Sequence, residues 1–290
     1  VTLNGHPGET IPYRLGQAGM PFNGTRAAEL EGMVKLWPMD DDESFSCSVW
    51  GDNQEGARAG DWDVAPYLYV TRLFEHMMAR DVDFGLCTGD MASSANYASQ
   101  IKPLVLDRTD VIFGSTKPYY VAWGNHDTSY PNNKPYFETP AIDDPSSRTS
   151  EKGNSYLYRG NVLFILLDDS VCTTSATKTW LANLLATPRA RAAKFRIVLH
   201  HQPIYTEVSG SMLRDLEQTF INGGVDLVLG GHMHGYERIE KDGFVQLTNG
   251  GLGCLFVIAS VSYILNMNSW SILDSNEYLI VVAISLINGL

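Results

Sequence analysis

Cysteine is scarce, with four in 290 residues, and Cys47, Cys87, Cys172 and Cys254 form no Cys-x-x-Cys pair. That excludes a zinc ribbon and a thioredoxin-type redox motif. Cys47 and Cys87 fall inside apolar runs and read as buried thiols serving as small hydrophobes. Spacing does not argue for a disulfide. Positive charge is scarce too: 21 Lys and Arg stand against 33 Asp and Glu, for a net charge of −12. This balance argues against a duplex nucleic-acid partner, because phosphate backbones attract basic faces. No Gly-x-Ser-x-Gly, P-loop or His-Glu-x-x-His occurs, which removes three common hydrolase and nucleotide-binding devices. The opening Val1-Thr2-Leu3-Asn4 has neither a basic n-region nor a long apolar run. A mature secreted chain and a cytosolic one share that pattern. The sequon Asn23-Gly24-Thr25 weighs little, since so short a motif arises easily by chance.

What is present is a change of pattern along the chain. Residues 1–43 are rich in Gly and Pro and hold short runs, Ile11–Leu15 and Met33–Trp37, that suit edge strands of a small β unit. This segment is too short to bury a core of its own. The acidic cluster Asp40–Glu43 reads as a solvated boundary. From Ser44, strands alternate with helices. Phe45–Trp50, Phe84–Thr88, Tyr119–Trp123, Phe195–Leu199 and Val225–Leu229 are apolar and strand-like. A helix over Val64–Arg80 has Val64, Leu68, Thr71, Phe74 and Met78 on one stripe. A second falls within Asn96–Asp110, weakened by Pro103. Hairpins turn at Gly160-Asn161 and Asp242-Gly243. The stretch Thr128–Asn154 has no period, and loops of that length are often functional; Tyr130, Tyr136 and Phe137 offer stacking faces or simple packing. Leu255–Leu273 carries no charge and approaches the length of a membrane span. Asn266, Asn268 and several serines interrupt it, so buried strands closing a sheet are the expectation and a membrane association is not.

Each of these strands runs out in polar residues: Asp52 with Gln54, Asp90, Asn125-His126-Asp127, His200-His201, and His232 with His234 behind Gly230-Gly231. In open α/β sheets, ligands bind at the carboxyl ends of strands. Carboxylate, amide and imidazole donors together suit Zn, Mn or Fe rather than Ca. Singly, an Asp after Gly is often only a turn residue. One of His200 and His201 faces away from the site, because strand neighbours point to opposite sides. Jointly, five such strand ends are hard to obtain by chance.

This ordered set resembles the calcineurin-like metallophosphoesterases. The chain shows Asp52-Asn53-Gln54, Gly89-Asp90, Gly124-Asn125-His126-Asp127, His201-Gln202-Pro203 and Gly231-His232-Met233-His234. The runs Gly231–Arg238 and His201–Tyr205 are similar to the purple acid phosphatase branch. The resemblance implies an α/β fold, a four-layer α/β/β/α sandwich over residues 44–290. Residues 1–43 would be a short β segment, a remnant of the β-sandwich preceding the catalytic domain in that branch. It implies two divalent or trivalent ions (Fe, Mn or Zn). One would be held by Asp52, Asp90 and His234 with Gln54 doubtful, the other by Asp90, Asn125, His201 and His232. His200 would be structural, though its role and that of His201 could be exchanged. His126, held by Asp127, would be the catalytic side chain, and Asn125 and His126 would contact the phosphoryl group.

Two departures qualify that picture. Gln54 stands where the wider family has a histidine ligand, and Ser93 stands where the purple branch has a tyrosine. The expected activity is metal-dependent hydrolysis of a phosphomonoester or phosphodiester by hydroxide held on a dinuclear centre. The alternative is a non-catalytic metal- or phosphate-binding descendant whose first metal site has decayed. The expected partner is a small-molecule phosphate ester, the expected location secreted or otherwise extracytoplasmic. Oligomeric state is left open.

Overall fold

A computed structural model describes residues 9–14, 31–35, 45–54, 68–93, 97–128, 153–206, 214–250, 257–258 and 282–286. The expectations for the Thr128–Asn154 loop aromatics, the Asp40–Glu43 cluster, Cys254 and most of the apolar tail lie outside the described residues.

Two sheets form the centre. Strands β3 (Phe45–Trp50), β4 (Phe84–Cys87) and β5 (Tyr119–Val121) run parallel, and β13 (Val282–Leu286) adds antiparallel to β3. The larger sheet comprises β6 (Ser155–Arg159), β7 (Val162–Leu166), β8 (Phe195–Leu199), β9 (Leu227–Gly230), β10 (Gly235–Lys241), β11 (Phe244–Asn249) and β12 (Val257–Ile258). Their order across the sheet is β12-β10-β11-β9-β8-β7-β6. Among them β7, β8, β9 and β11 are parallel. Within the apolar tail, β12 and β13 therefore each extend an edge of a sheet.

Strand alternation builds three apolar layers. In β4, Phe84 and Leu86 face the other sheet, while Cys87 faces outward. In β8, Ile197 and Leu199 face the other sheet and Val198 faces outward. The inner layer joins Phe45, Val49, Phe84 and Leu86 to Leu157, Phe164, Leu199 and Leu229. The outer face of the small sheet is covered by helix α1 (Leu68–Ala79) and the helix Tyr97–Gly114. The outer face of the large sheet is covered by α3 (Ser175–Ala186), α4 (Pro188–Ala192) and α5 (Glu217–Gly223). The fold is thus the α/β/β/α sandwich expected from the motifs.

Two helices differ from expectation. In α1 the buried residues are Val70, Leu73, Phe74 and Met77; Thr71 and Met78 are only half-buried. The spacing i, i+3, i+4, i+7 defines the stripe that faces the sheet, and Trp50 meets Phe74 edge-on there at 5.4 Å. The second helix is longer than the Asn96–Asp110 expectation and is wound with i→i+5 bonding around Pro103. Burial of Ile101, Leu104, Val105 and Phe113 outweighs the bond that proline removes, since helix stability in a protein comes largely from its packed face.

At the N-terminal side, β1 (Thr10–Arg14) pairs antiparallel with β2 (Glu31–Lys35). The Tyr13 hydroxyl donates to the Ser115 carbonyl at 2.8 Å, which ties this ribbon to the small-sheet side. Among the described residues no helix is long and apolar enough to cross a membrane.

Phe164 lies fully buried between the sheets, with its ring 5.7 Å from Phe84 and 6.1 Å from Phe45. Phe164→Ala should cost about 3–5 kcal/mol of stability, read as a fall in the denaturant midpoint at unchanged slope. A loss below about 1 kcal/mol would contradict a sealed inter-sheet layer.

Candidate metal centre

Both sheets send strand ends to one place. Asp52 and Gln54 follow β3, Asp90 follows β4, and Asn125 opens the short helix α2 (Asn125–Thr128) after β5. His201 follows β8, and His232 and His234 follow β9. Backbone bonds lace these ends together: Asp52 N–H donates to Gly89 O at 2.9 Å, Gln54 N–H to Asp90 O at 3.2 Å, and Gly231 N–H to His201 O at 2.9 Å. The glycines of two motifs abut. A Cβ on Gly89 would lie 2.5 Å from Gly124 N, and one on Gly124 would lie 2.2 Å from Asp90 Oδ1.

Among the described residues, five non-glycines have positive φ, and three of them are Asp52 (61°), Asp90 (55°) and His232 (65°). Asp and His tolerate this region better than most residues, yet each such position still costs energy and tends to mark a functional site.

The donor atoms converge. Asn125 Oδ1 is 3.0 Å from His201 Nε2 and 3.0 Å from His232 Nδ1. Asp90 Oδ2 is 3.2 Å from His201 Nε2 and 3.1 Å from Gln54 Nε2. Asp90, His201 and His232 form a set whose ligand atoms all lie within 4.8 Å of one another. His201 Nδ1 sits 2.8 Å from the Thr88 carbonyl. That contact assigns a proton to Nδ1 and turns Nε2 toward the cluster, so that loss of the Nε2 proton would give the usual form of a metal-binding imidazole. Asp52 receives the His232 N–H on both oxygens, at 3.1 and 3.0 Å, and lies 3.4 Å from His234 Nε2. His234 is about one-third exposed, with its side chain at 34%, so this half of the site is looser.

The residues fit a cation. Buried Gln54 Oε1 has no hydrogen-bond partner. A cation would satisfy that orphaned acceptor beside the Asp90 carboxylate.

The electrostatics are those of desolvated charges gathered in one place. Burial would raise the Asp90 carboxyl, but the hydrogen bond and charge of His201 and the His126 N–H hold it below the usual range. Burial alone would lower His201; the Asp90 hydrogen bond with the Asp52 and Asp90 charges instead lifts it to about 10. His232 is held low by burial and by His201. Asp127 is pushed up to about 7, first by burial and then by Asp90.

The sequence places Asp127 behind His126, but its carboxylate is engaged elsewhere. Asp127 accepts the N–H groups of Asp90 at 2.7 Å, Met91 at 3.0 Å and Gly124 at 2.9 Å. The His126 ring lies instead against the Ser93 carbonyl, with Nδ1 at 3.3 Å. The reason is local: α2 is one turn long, so successive residues 126 and 127 point to different sides of it. Sequence reasoning missed Thr88 and Ser93 because they act through backbone carbonyls, which leave no side-chain signature. His200 lies on the other side of β8 from His201, fully buried, and is absent from this cluster.

Comparison with known proteins gives a consistent family. A profile described as calcineurin-like phosphoesterase matches residues 51–236. The chain is 26% identical over 199 residues to purple acid phosphatase 22 of Arabidopsis thaliana, spanning 62% of this chain and 44% of that protein. It is similar in structure to the purple acid phosphatase PPD1 from yellow lupin (Lupinus luteus) seeds, with a TM-score of 0.61 and 20% identity over 89% of this chain and 52% of that one. A further likeness is to PhoD, with a TM-score of 0.50 and 12% identity over 77% of this chain and 60% of that one. The structural likenesses speak to the fold. The chain spans about half the length of the two purple acid phosphatases.

Asp127→Ala would strand three backbone N–H groups in a dry site. At about 1–3 kcal/mol for each unsatisfied buried group, a stability loss of roughly 3 kcal/mol or more is expected by chemical denaturation. A near-neutral change would mean that Asp127 does not hold the two strand ends.

Proposed function

The chain belongs to the calcineurin-like phosphoesterase family, and on that premise we propose that it hydrolyses phosphate esters at two metal ions. Asp52, Asp90, His234 and Gln54 would hold one, and Asp90, Asn125, His201 and His232 the other. Bound ions of the Fe, Mn or Zn type supply Lewis acidity toward water and toward a phosphoryl oxygen. The observation that carries this reading is the convergence of Asp90, Asn125, His201 and His232, with a His201 proton fixed on Nδ1 by Thr88.

The chain's own residues have distinct tasks. Asp90 Oδ1 accepts the His126 N–H at 2.9 Å, so the carboxylate that borders both metal positions also sets where His126 begins. The contact of Nδ1 with Ser93 O leaves Nε2 to meet substrate. Protonated His126 would give its Nε2 proton to the leaving alkoxide as water adds to phosphorus from the opposite side. Asn125 turns Oδ1 toward the two imidazoles and would offer Nδ2–H to a phosphoryl oxygen. The substrate is a small-molecule phosphomonoester or phosphodiester. An extracytoplasmic location goes with this reading, and the Asn23 sequon offers a check on it: an N-glycosidase-sensitive mass in the native protein would support it, and an unmodified Asn23 would count against it.

A second reading has one observation in its favour. The Asp52–Gln54–His234 half has a ligand histidine one-third exposed, whereas the other half is compact. A descendant that binds one metal without catalysis would look like this. Metal content separates the two: two tightly held ions per chain support the hydrolase, and one ion with no turnover across Mn, Zn and Fe supports the binder.

Asn125→Ala or His232→Ala should lower metal-dependent hydrolysis of an aryl phosphate by about a thousandfold, on the several kcal/mol that such an ion supplies. Chelation should abolish the wild-type rate and metal restore it. Unchanged turnover in either purified variant defeats the assignment. With Ser93 in place of a tyrosine, the iron-loaded protein should also lack a visible phenolate charge-transfer band.

A further inference from the structure

We propose that Asp169, Cys172 and His200 form a separate metal site, on the outer face of the large sheet, suited to a zinc-type divalent ion. The site is independent of the hydrolytic reading above. Its three donor atoms, a carboxylate oxygen, Sγ and an imidazole nitrogen, all lie within 4.8 Å of one another.

Strand parity puts them there. His201 shares the side of Leu199 and reaches the strand-end centre; His200 shares the side of Val198, where the helices pack. Cys172 belongs to that same outer layer and is fully buried. The loop that carries the other two donors is firmly held. Asp169 N–H donates to Trp123 O at 3.0 Å and Cys172 N–H to Asp168 O at 2.9 Å. The Asp168 carboxylate caps the turn by accepting from Ser170 N–H at 3.0 Å and its hydroxyl at 2.6 Å. Thr174 then caps α3 by accepting the Thr177 N–H at 3.2 Å.

The unsatisfied atoms point to a ligand. His200 is 0% exposed, and its ring makes no hydrogen bond of good geometry among the described residues, only a marginal approach to the Gln202 backbone. Asp169 Oδ1 is likewise buried without a partner, while Oδ2 accepts from Gln202 Nε2 at 2.9 Å. Cys172 Sγ donates to the Asp169 carbonyl at 3.4 Å and lies by the backbone N–H of Thr173. Each buried, unsatisfied polar group costs roughly 1–3 kcal/mol, and native interiors seldom carry two in contact. One cation would take Asp169 Oδ1, Cys172 Sγ and one of the two His200 nitrogens.

The donor set decides its chemistry. Thiolate, imidazole and carboxylate match zinc and exclude calcium and magnesium, which take oxygen alone. A neutral imidazole is the ligand form, and the thiol would release its proton as the ion binds. Tetrahedral bonds of about 2.0–2.3 Å place donors roughly 3.3–3.8 Å apart, so the three would draw in by up to about 1.5 Å. Three protein donors leave a fourth position for water.

Cobalt(II) tests the site by its spectrum, since the strand-end centre has no thiolate among its donors. The metal-stripped full chain, titrated with cobalt, should develop a near-ultraviolet thiolate-to-cobalt band. Cys172→Ser should lose that band and one equivalent of bound zinc per chain, while Cys87→Ser keeps both. His200→Ala, which leaves the thiol in place, should weaken cobalt binding in this band at least tenfold. A cobalt-saturated wild-type chain without the band overturns the proposal, as does a band that survives Cys172→Ser. Aryl phosphate turnover in the same samples reports on the strand-end centre separately, so failure of one site does not pass for failure of the other.

Discussion

The buried Asp127 carboxylate takes the backbone N–H of Asp90, Met91 and Gly124, and these three groups sit where β4 and β5 stop. A carboxylate that accepts several backbone bonds acts as a rigid clasp, because each bond is charge-assisted and directional. With the clasp closed, Asp90 is held at φ 55° and cannot relax into ordinary strand geometry. Its side chain is thereby aimed across the gap between the sheets, where His201 meets it. The close approach of Gly89 to Gly124 is a condition of the same arrangement, since any side chain there would part the two strand ends.

Around that clasp the protein gathers charges that would not gather unaided. Asp52, Asp90 and Asp127 are all buried, and Asp90 raises the proton affinity of Asp127. Like charges in a desolvated space oppose folding. Cations bound there would relieve the repulsion and add their binding energy to the folded state. The acidity of the whole chain is then compatible with an anionic substrate, because the local field belongs to the ions rather than to the surface.

Much of this was legible in the sequence, and the reasons are specific. Polar residues directly after apolar strands place Asp52, Asp90, Asn125, His201 and His232 at one edge, and a period of two separates His200 from His201. The four layers follow from strand and helix patterns together with the motif resemblance. The Asp127 clasp was not legible, because an Asp that binds backbone reads the same as one that orients a histidine. The α1 stripe was displaced because Val70, Leu73 and Met77 pack on Trp50 and Phe113, partners known only once the sheet is built. The Asp169, Cys172 and His200 group left no motif, since a loop and a strand distant in sequence supply it.

Strand β8 lies between two packed layers, and just past its end the adjacent residues His200 and His201 turn to opposite sides. Insertion or deletion of a single residue within the strand would exchange the two imidazoles and present each side with the wrong one. Substitutions along β8 can be absorbed one at a time, but its length cannot drift. Among homologues, gaps should therefore collect in the turns on either side and spare the strand itself.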